Sequence, residues 1–438
     1  MTIYDLLQQE QDRQQSTLQM IPSENYTTPQ VMALVGSCLM NKYSEGYPRK
    51  RYYEGNEVAD QIEQMAIDNA KKLFGVPHAN VQPYSGSPAN AAIEMALLEP
   101  GDTMLGLQLS SGGHLTHGHP KVTFGGKFFR TVQFGLNTEA RIDLEKLREM
   151  AQAEQPKLII IGNTAYPFEL DFAAFAEIAD EVGAWLVADI SHVAGLVVAG
   201  EHPDPVPYAH VVMTTTHKTL RGPRGAMILV TQKGLDRDPE LADKIDRAVF
   251  PGLQGGPHNN TTAAIALTLQ NAMGPAFELY AKQIRKNATA LATELLAGGL
   301  NLVGGGTETH LMILDLRDWG GGTQLAFALA QAGIVANKNT VPNDPFPPFY
   351  PSGVRLGTPS LTTRGMKEPE MKQIAQWIVE IESLTRQFAL STTSSKEERR
   401  EGIKAAKQWA KSAPELQKIR EEVRFLCAQF PIDLEAHQ

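Results

Sequence analysis

Val211-Val212-Met213-Thr214-Thr215-Thr216-His217-Lys218-Thr219-Leu220 is the stretch on which the reading of this chain turns. Its first three residues form an apolar run too short for a helix, expected as a buried strand. The basic, turn-rich loop Arg221-Gly222-Pro223-Arg224-Gly225 follows. The strand therefore delivers Lys218 to a sheet edge, with hydroxyls and His217 beside it. A lysine so placed is where an aldehyde is held as a Schiff base, provided burial or nearby cations lower its pKa. A surface lysine closing a strand would look the same, so the rest of the chain must decide.

One strand earlier, Ala184-Trp185-Leu186-Val187-Ala188 runs into Asp189-Ile190-Ser191-His192. An apolar run ending in Asp puts a carboxylate at the carboxyl edge of a sheet, the usual ligand crevice of an open α/β fold. Pyridoxal phosphate needs such a carboxylate against its pyridine nitrogen, because the protonated ring is its electron sink. Asp189 suits that task, Lys218 suits the Schiff base, and His192 suits a cofactor oxygen. A helix N-cap after a βα turn is the plainer reading of Asp189. An anion site is offered by Tyr84-Ser85-Gly86-Ser87-Pro88, which opens the helical run Ala89–Leu97. Pro88 fits a first helical turn, and exposed N–H groups with two hydroxyls suit a phosphate, though an ordinary capped helix reads alike. His114, in Ser110-Ser111-Gly112-Gly113-His114-Leu115-Thr116-His117-Gly118-His119, is the candidate to stack on a flat cofactor. With no cysteine or acidic residue nearby the three histidines make a poor metal site, and His117 and His119 read as loop hydrogen-bonding residues.

Outward from these segments, apolar runs alternate with helical patterns: Thr103–Leu107, Lys157–Ile161, Trp185–Ala188, Val211–Met213 and Ala226–Val230. That alternation predicts an α/β fold, a mostly parallel sheet covered on both faces. Upstream, Ile62–Phe74 has the spacing of a surface helix, and Ile3–Gln19 that of an amphipathic arm packing on a partner subunit or on its own domain. Downstream, a helical pattern from Thr261 to Leu295, interrupted at Gly274-Pro275, carries the chain out of the first domain. Leu311–Leu316 reads as a strand, Pro342–Pro351 as a rigid loop near Asn339 and Arg355, and Ser391–Ser395 as weakly ordered. The charged run Lys396–Arg420 reads as a solvated helical extension.

At 438 residues the chain is too long for one core. A net charge of −9 argues against a broad nucleic-acid or acidic-membrane surface. Two cysteines far apart, Cys38 and Cys427, imply no disulfide framework, and no apolar stretch has bilayer length. The start lacks the basic and apolar regions of a secretion signal, so a cytoplasmic protein is expected.

Together the Lys218, Asp189-x-x-His192 and Ser85-Gly86-Ser87 segments resemble the serine hydroxymethyltransferase family. So do Ile21-Pro22-Ser23-Glu24-Asn25-Tyr26, Asn41-Lys42-Tyr43-Ser44-Glu45-Gly46-Tyr47-Pro48, Gly252-Leu253-Gln254-Gly255-Gly256-Pro257, Asn337-Lys338-Asn339 and Val354-Arg355-Leu356-Gly357-Thr358-Pro359. The resemblance is colinear from about Ile3 to Ile381. It implies the type I fold of pyridoxal-phosphate transferases, with a mostly parallel central sheet flanked by helices and a smaller α+β C-terminal domain. The expected division is an arm at 1–19, a large cofactor domain at 20–275 and a small domain at 276–438.

Carried over by position, the resemblance makes Lys218 the Schiff-base lysine and Asp189 the partner of the pyridine nitrogen. His114 stacks on the ring, Thr164 and His192 approach its phenolic oxygen, His217 adjoins the cofactor, and Ser85, Gly86 and Ser87 hold its phosphate. Tyr43, Gly255 and Gly256 reach the phosphate of a neighbouring subunit's cofactor, and with Tyr43 and Tyr53 drawn from a partner chain the resemblance implies at least a homodimer. Arg355, helped by Ser23, clamps the amino-acid carboxylate. Glu45 is the acid/base group at the transferred carbon, with Tyr52 and Tyr53 beside it, and Leu109, Gly113, Leu115 and Asn339 receive the folate pterin. The implied reaction passes the hydroxymethyl carbon of L-serine to tetrahydrofolate and leaves glycine. A folate-independent aldolase for β-hydroxy amino acids, or an α-methylserine hydroxymethyltransferase, would share much of this machinery. Three residues depart from the family's usual ones: Glu54 for a glycine, Ser191 for an alanine and Met213 for a threonine.

Overall fold

A computed structural model describes Met1–Leu434 and divides the chain into two compact units. One comprises Thr27–Thr164 with Glu169–Ala281. The other comprises Met1–Tyr26, Ala165–Phe168 and Lys282–Leu434.

The first unit is built on a seven-stranded sheet: β1 His78–Asn80, β2 Thr103–Leu107, β3 Arg130–Phe134, β4 Leu158–Gly162, β5 Trp185–Asp189, β6 Val211–Thr215 and β7 Ala226–Val230. Their order is β1-β7-β6-β5-β4-β2-β3. The pairs from β6 through β3 are parallel, whereas β7 is antiparallel to both β6 and β1. This is the mixed, mostly parallel α/β sheet anticipated from the alternating runs. Strands β4 to β7 are buried along their length, as near-continuous apolar runs between two helical layers must be. Met104, Ile160, Val187, Val211 and Ile228 share one core with Ala89, Ile93 and Ile245 of flanking helices. Parallel neighbours end together, so Gly162 lies opposite Asp189 and Asp189 opposite Met213. The residues just beyond these ends, Thr164 and Lys218, are thereby collected at one sheet edge.

Two strands escaped the sequence reading. In β1 two of the three residues are polar, and β3 is an edge strand with one half-exposed face, so neither shows as an apolar run. The helix expected at Ile62–Phe74 begins earlier, at Glu57. Glu57 and Asp60 lie in its first turn, Lys71 and Lys72 in its last, and Gly75 ends it in a left-handed cap. The break expected at Gly274-Pro275 separates helices Asn259–Ala272 and Pro275–Ala297.

In the second unit Leu311–Asp315, Gly353–Gly357 and Asn337–Asn339 form an antiparallel sheet with Gly353–Gly357 central. Its core joins Met312, Leu356 and Ile378 to Leu416, Ile419 and Val423. The charged C-terminal run is more than a solvated extension. It folds into helices Lys396–Ala410 and Pro414–Gln429, each burying one face. Ser395 caps the first of them, so the polar Ser391–Ser395 stretch is a hydrogen-bonded turn. The arm is the helix Ile3–Ser16, which packs beside the chain's last helix.

Arg364 makes that junction. Its guanidinium, 5 % exposed, donates to the carbonyls of Gln14, Thr17 and Gln15, and to those of Cys427 and Phe430, at 2.9–3.1 Å. These carbonyls close the C-terminal ends of helices Ile3–Ser16 and Pro414–Gln429, where helix dipoles favour a cation. Arg364→Met removes these bonds from buried carbonyls, of which that of Cys427 keeps the Phe430 amide, and is expected to cost on the order of 3 kcal/mol, read as a lower urea midpoint.

His210, buried beside β5, accepts from the Leu186 amide through Nδ1 at 2.9 Å. Burial holds its pKa down to about 4, whereas the unfolded chain takes up that proton near about 6.5. Between those values the unfolded state binds more protons, so stability falls as pH falls. His210→Asn keeps an acceptor without the titration. It is expected to flatten the decline in urea midpoint from neutral pH to pH ~5 by up to about 1.4 kcal/mol per pH unit.

Candidate active site

Asp189, the last residue of β5, is held through its carboxylate by three donors. Its Oδ2 accepts from His117 Nε2 at 2.9 Å and Asn90 Nδ2 at 3.1 Å, and its Oδ1 from the Ser191 amide at 3.0 Å. Burial alone would raise this carboxyl. The bond and charge of His117, the Ser191 amide and the charge of Lys218 outweigh it and hold Asp189 well below the ordinary carboxylate range. Asp189 is therefore ionised while buried. His117 thus does more than the loop hydrogen bonding expected of it. It lies three residues after His114, in a turn where the His117 amide donates to the His114 carbonyl, and this local spacing does not point to Asp189. Asn90, one turn into helix Gly86–Leu97, was missed as well. His119 stays in the loop, accepting from the Lys121 amide.

Around this carboxylate the sheet edge gathers the other residues. Lys218 Nζ donates to Thr215 Oγ1 at 3.1 Å, and its charge acts on both Asp189 and His114. His114 Nδ1 bonds Thr116 Oγ1 at 2.8 Å, and Asn90 donates to the same hydroxyl. Burial first, then His117 and Lys218, lower the His114 pKa to about 4, so its imidazole is neutral at physiological pH. Thr164 Oγ1 donates to the Gly113 carbonyl at 2.6 Å, and its amide to Gly112, which pins the histidine loop to the end of β4. His192 is buried, and its carbonyl accepts from Thr219.

Pyridoxal phosphate would need a ring site with a carboxylate, an amine within reach and an anion site. Two observations bear on the last. Ser85 caps helix Gly86–Leu97 without using its hydroxyl, and Ser85 and Ser87 are both exposed. A side chain on Gly86 would place Cβ 2.8 Å from Thr215 Cγ2, so the helix start packs closely against Lys218's own partner and needs glycine there. His217 accepts from Arg224 through Nε2, which leaves its buried Nδ1 as a donor with no partner among the described residues. Burial lowers the His217 pKa to about 3, so this donor belongs to a neutral ring. The residues present fit the group. Two of the three departures also explain each other, since the Ser191 hydroxyl reaches Met213 Sδ at 3.7 Å and accepts from the Thr215 amide. Glu54 is exposed, and its carbonyl accepts from Lys42.

A second group assembles from a hairpin and a distant loop of the same unit. Tyr53 donates to Glu45 Oε2 at 3.1 Å, which with the carboxylate's charge holds the phenol above its ordinary range. The Tyr43 and Tyr53 rings meet edge to face at 5.5 Å, and Tyr52 packs at 5.7 Å from Phe250. Positions for a Cβ on Gly255 and Gly256 lie 3.5 Å from Glu45 Oε1 and 3.2 Å from the Tyr43 ring. Tyr84, next to Ser85, ties this loop down by donating to the Gly256 carbonyl and by stacking on His258. Leu109 and Leu115 are exposed on the histidine loop, and the Gly113 amide donates to Gln108.

The other unit holds Ser23, Asn339 and Arg355. Arg355 is buried in the central strand, and its Nε donates to Asn337 Oδ1 at 3.1 Å. Burial lowers its pKa to about 10, which leaves it cationic at neutral pH. Asn339 is paired across the ladder with Gly353, and Ser23 is half-buried in a turn.

A family model described as serine hydroxymethyltransferase matches residues 1–378. The chain is 57 % identical over 382 residues to the serine hydroxymethyltransferase of Acidothermus cellulolyticus, covering 87 % of this chain and 88 % of that protein. Its identity is 55 % over 370 residues to that of Desulfotalea psychrophila (84 % and 85 % covered). For Campylobacter jejuni it is 52 % over 380 residues (86 % and 90 %). A match of this length, over a sheet edge that presents Lys218 and Asp189 together, means that the chain belongs to the serine hydroxymethyltransferase family.

Proposed function

We propose that this chain reversibly transfers the hydroxymethyl carbon of L-serine to tetrahydrofolate, giving glycine and 5,10-methylenetetrahydrofolate, with pyridoxal 5'-phosphate as cofactor. The observation that carries this reading is a buried carboxylate kept ionised by His117 at one strand end, with Lys218 just beyond the next. Family membership favours the folate-dependent reaction over the aldolase and α-methylserine readings.

Bound there, pyridoxal phosphate would supply a protonated ring that takes up charge from the substrate's α-carbon. Asp189 holds the proton on the ring nitrogen, because its own pKa is too low to take it. Lys218, held at Thr215, would supply the amine that holds the cofactor's aldehyde. His114 offers a neutral face for stacking, and Thr164 and His192 are placed for the phenolic oxygen. Ser85, Gly86, Ser87 and the His217 Nδ1 donor hold the phosphate. Arg355, oriented by Asn337 and joined by Ser23, fixes the carboxylate so that the bond to be broken can align with the ring. Glu45 moves the proton at the transferred carbon with Tyr53 on its oxygen and Tyr52 beside it, and Leu109, Gly113, Leu115 and Asn339 receive the pterin.

The active assembly is a homodimer in which Tyr43, Gly255 and Gly256 reach the partner's cofactor phosphate. Support comes from apolar side chains left uncovered, among them Ile3, Tyr4, Leu7, Met40, Tyr43, Tyr52 and Leu253. The domains are the arm, a large cofactor domain and a smaller α+β C-terminal domain. No helix among the described residues is long and apolar enough to cross a membrane, and we place the enzyme in the cytoplasm.

Lys218→Ala is expected to lose steady turnover, and wild-type turnover in that variant would remove its role. Arg355→Ala is expected to raise the serine KM on the order of 100-fold, in initial-rate assays. An absorbance spectrum of the purified protein tests the whole reading. A visible cofactor band should move to longer wavelength only with glycine and tetrahydrofolate both present, and a band indifferent to folate would contradict folate coupling.

A further inference from the structure

Arg51 lies in the hairpin strand Lys50–Arg51, where it pairs with Gly46 across the ladder. Its side chain is 3 % exposed, and four of its five N–H groups are accounted for by four acceptors. Nη1 donates to the carbonyls of Ser44 at 2.9 Å and Gly46 at 2.8 Å, the residues on either side of Glu45. Nε donates to Asp60 at 2.8 Å and Nη2 to Glu63 at 2.6 Å, both on helix Glu57–Phe74. Glu63 is itself 2 % exposed, and Gln82 Nε2 bridges it to the same Gly46 carbonyl.

We propose that Arg51 is the positioning residue for Glu45, a single guanidinium that fastens the peptide units flanking Glu45 to two carboxylates on the neighbouring helix. The inference rests on the reading of Glu45 as the acid/base group. Glu45 cannot be aimed by its side chain alone. It is half-buried, and Tyr53, which donates to it, is exposed. The backbone beneath it is fixed from every direction. The Tyr52 amide donates to the Glu45 carbonyl, and the Ser44 hydroxyl donates to Asn259. Residue 46 must be glycine, because its φ is +97° and a Cβ there would run into the Lys50 carbonyl oxygen. Arg51 joins these restraints to the helix. Lysine cannot replace it, because one ammonium has neither the planar fork nor the reach to meet acceptors on both sides. Arg51 is turned into the protein, so it acts on the reaction only through Glu45.

The test is a double-mutant cycle with Arg51→Lys and Glu45→Gln, measuring kcat with serine and tetrahydrofolate, serine KM and the cofactor absorbance band. Arg51→Lys is expected to lower kcat on the order of 100-fold while KM and the band stay nearly unchanged. In the Glu45→Gln background the same substitution should cost almost nothing further. An equal loss in both backgrounds, or wild-type kcat in Arg51→Lys, overturns the proposal. Wild-type kcat in Glu45→Gln alone sinks the reading of Glu45, a separate failure seen without touching Arg51, and the proposal falls with it. If Arg51→Lys does not fold, Arg51→Met with Glu63→Leu replaces the buried pair by apolar groups and takes its place in the cycle.

Discussion

A carboxylate buried at the end of β5 has to be kept charged, and much of the cofactor-binding unit is arranged to do that. Water cannot reach Asp189 freely, so its charge is stabilised by His117, Asn90 and the Ser191 amide. Each donor comes from a different piece of chain. His117 requires the loop after β2 to fold back, Asn90 requires helix Gly86–Leu97 to start where it does, and Ser191 needs the sharp turn after the strand. The same helix start leaves Ser85 and Ser87 exposed, and the same loop presents His114. The electrostatic need of one residue therefore sets the positions of most others.

The sheet makes this economical. Parallel strands end on the same side, so consecutive crossovers bring Thr164, Asp189 and Lys218 together without long loops. Thr215 links the last two, since its hydroxyl accepts from Lys218 while its amide donates to Ser191. The Glu45 hairpin solves a different problem. Its functional side chains lie near solvent, so rigidity comes from beneath, through buried Arg51, Glu63 and Gln82.

Strand ends and the helix start were legible because their cues are local. Apolar runs ending in Asp189 or in hydroxyls before Lys218 announce themselves within ten residues, and the central strands appeared nearly where expected. What was not legible depends on partners far along the chain. His117 meets Asp189 across 72 positions, and nothing near either residue announces the other. Arg51 sits among Arg49, Lys50 and Tyr52, where a basic residue at a turn reads as solvated. The polar edge strand His78–Asn80 forms only because β7 is there to pair with it. In the C-terminal run, frequent charges mask Ile403, Ala406 and Ala410, which recur at helical spacing and are buried.

Arg364 draws together segments made at opposite times. Its acceptors at Gln14, Gln15 and Thr17 are translated long before those at Cys427 and Phe430. The unit made of Thr27–Thr164 and Glu169–Ala281 is translated in one stretch, interrupted there by Ala165–Phe168 of the other unit. It can close its sheet during synthesis. The opening helix has no such option. It must wait for Arg364, and for the Cys427 and Phe430 carbonyls that share that guanidinium, before its C-terminal end is fastened. For a time, then, the nascent protein carries a finished cofactor-binding unit behind an unsettled amphipathic leader, the stage at which chaperone contact or premature self-association would begin.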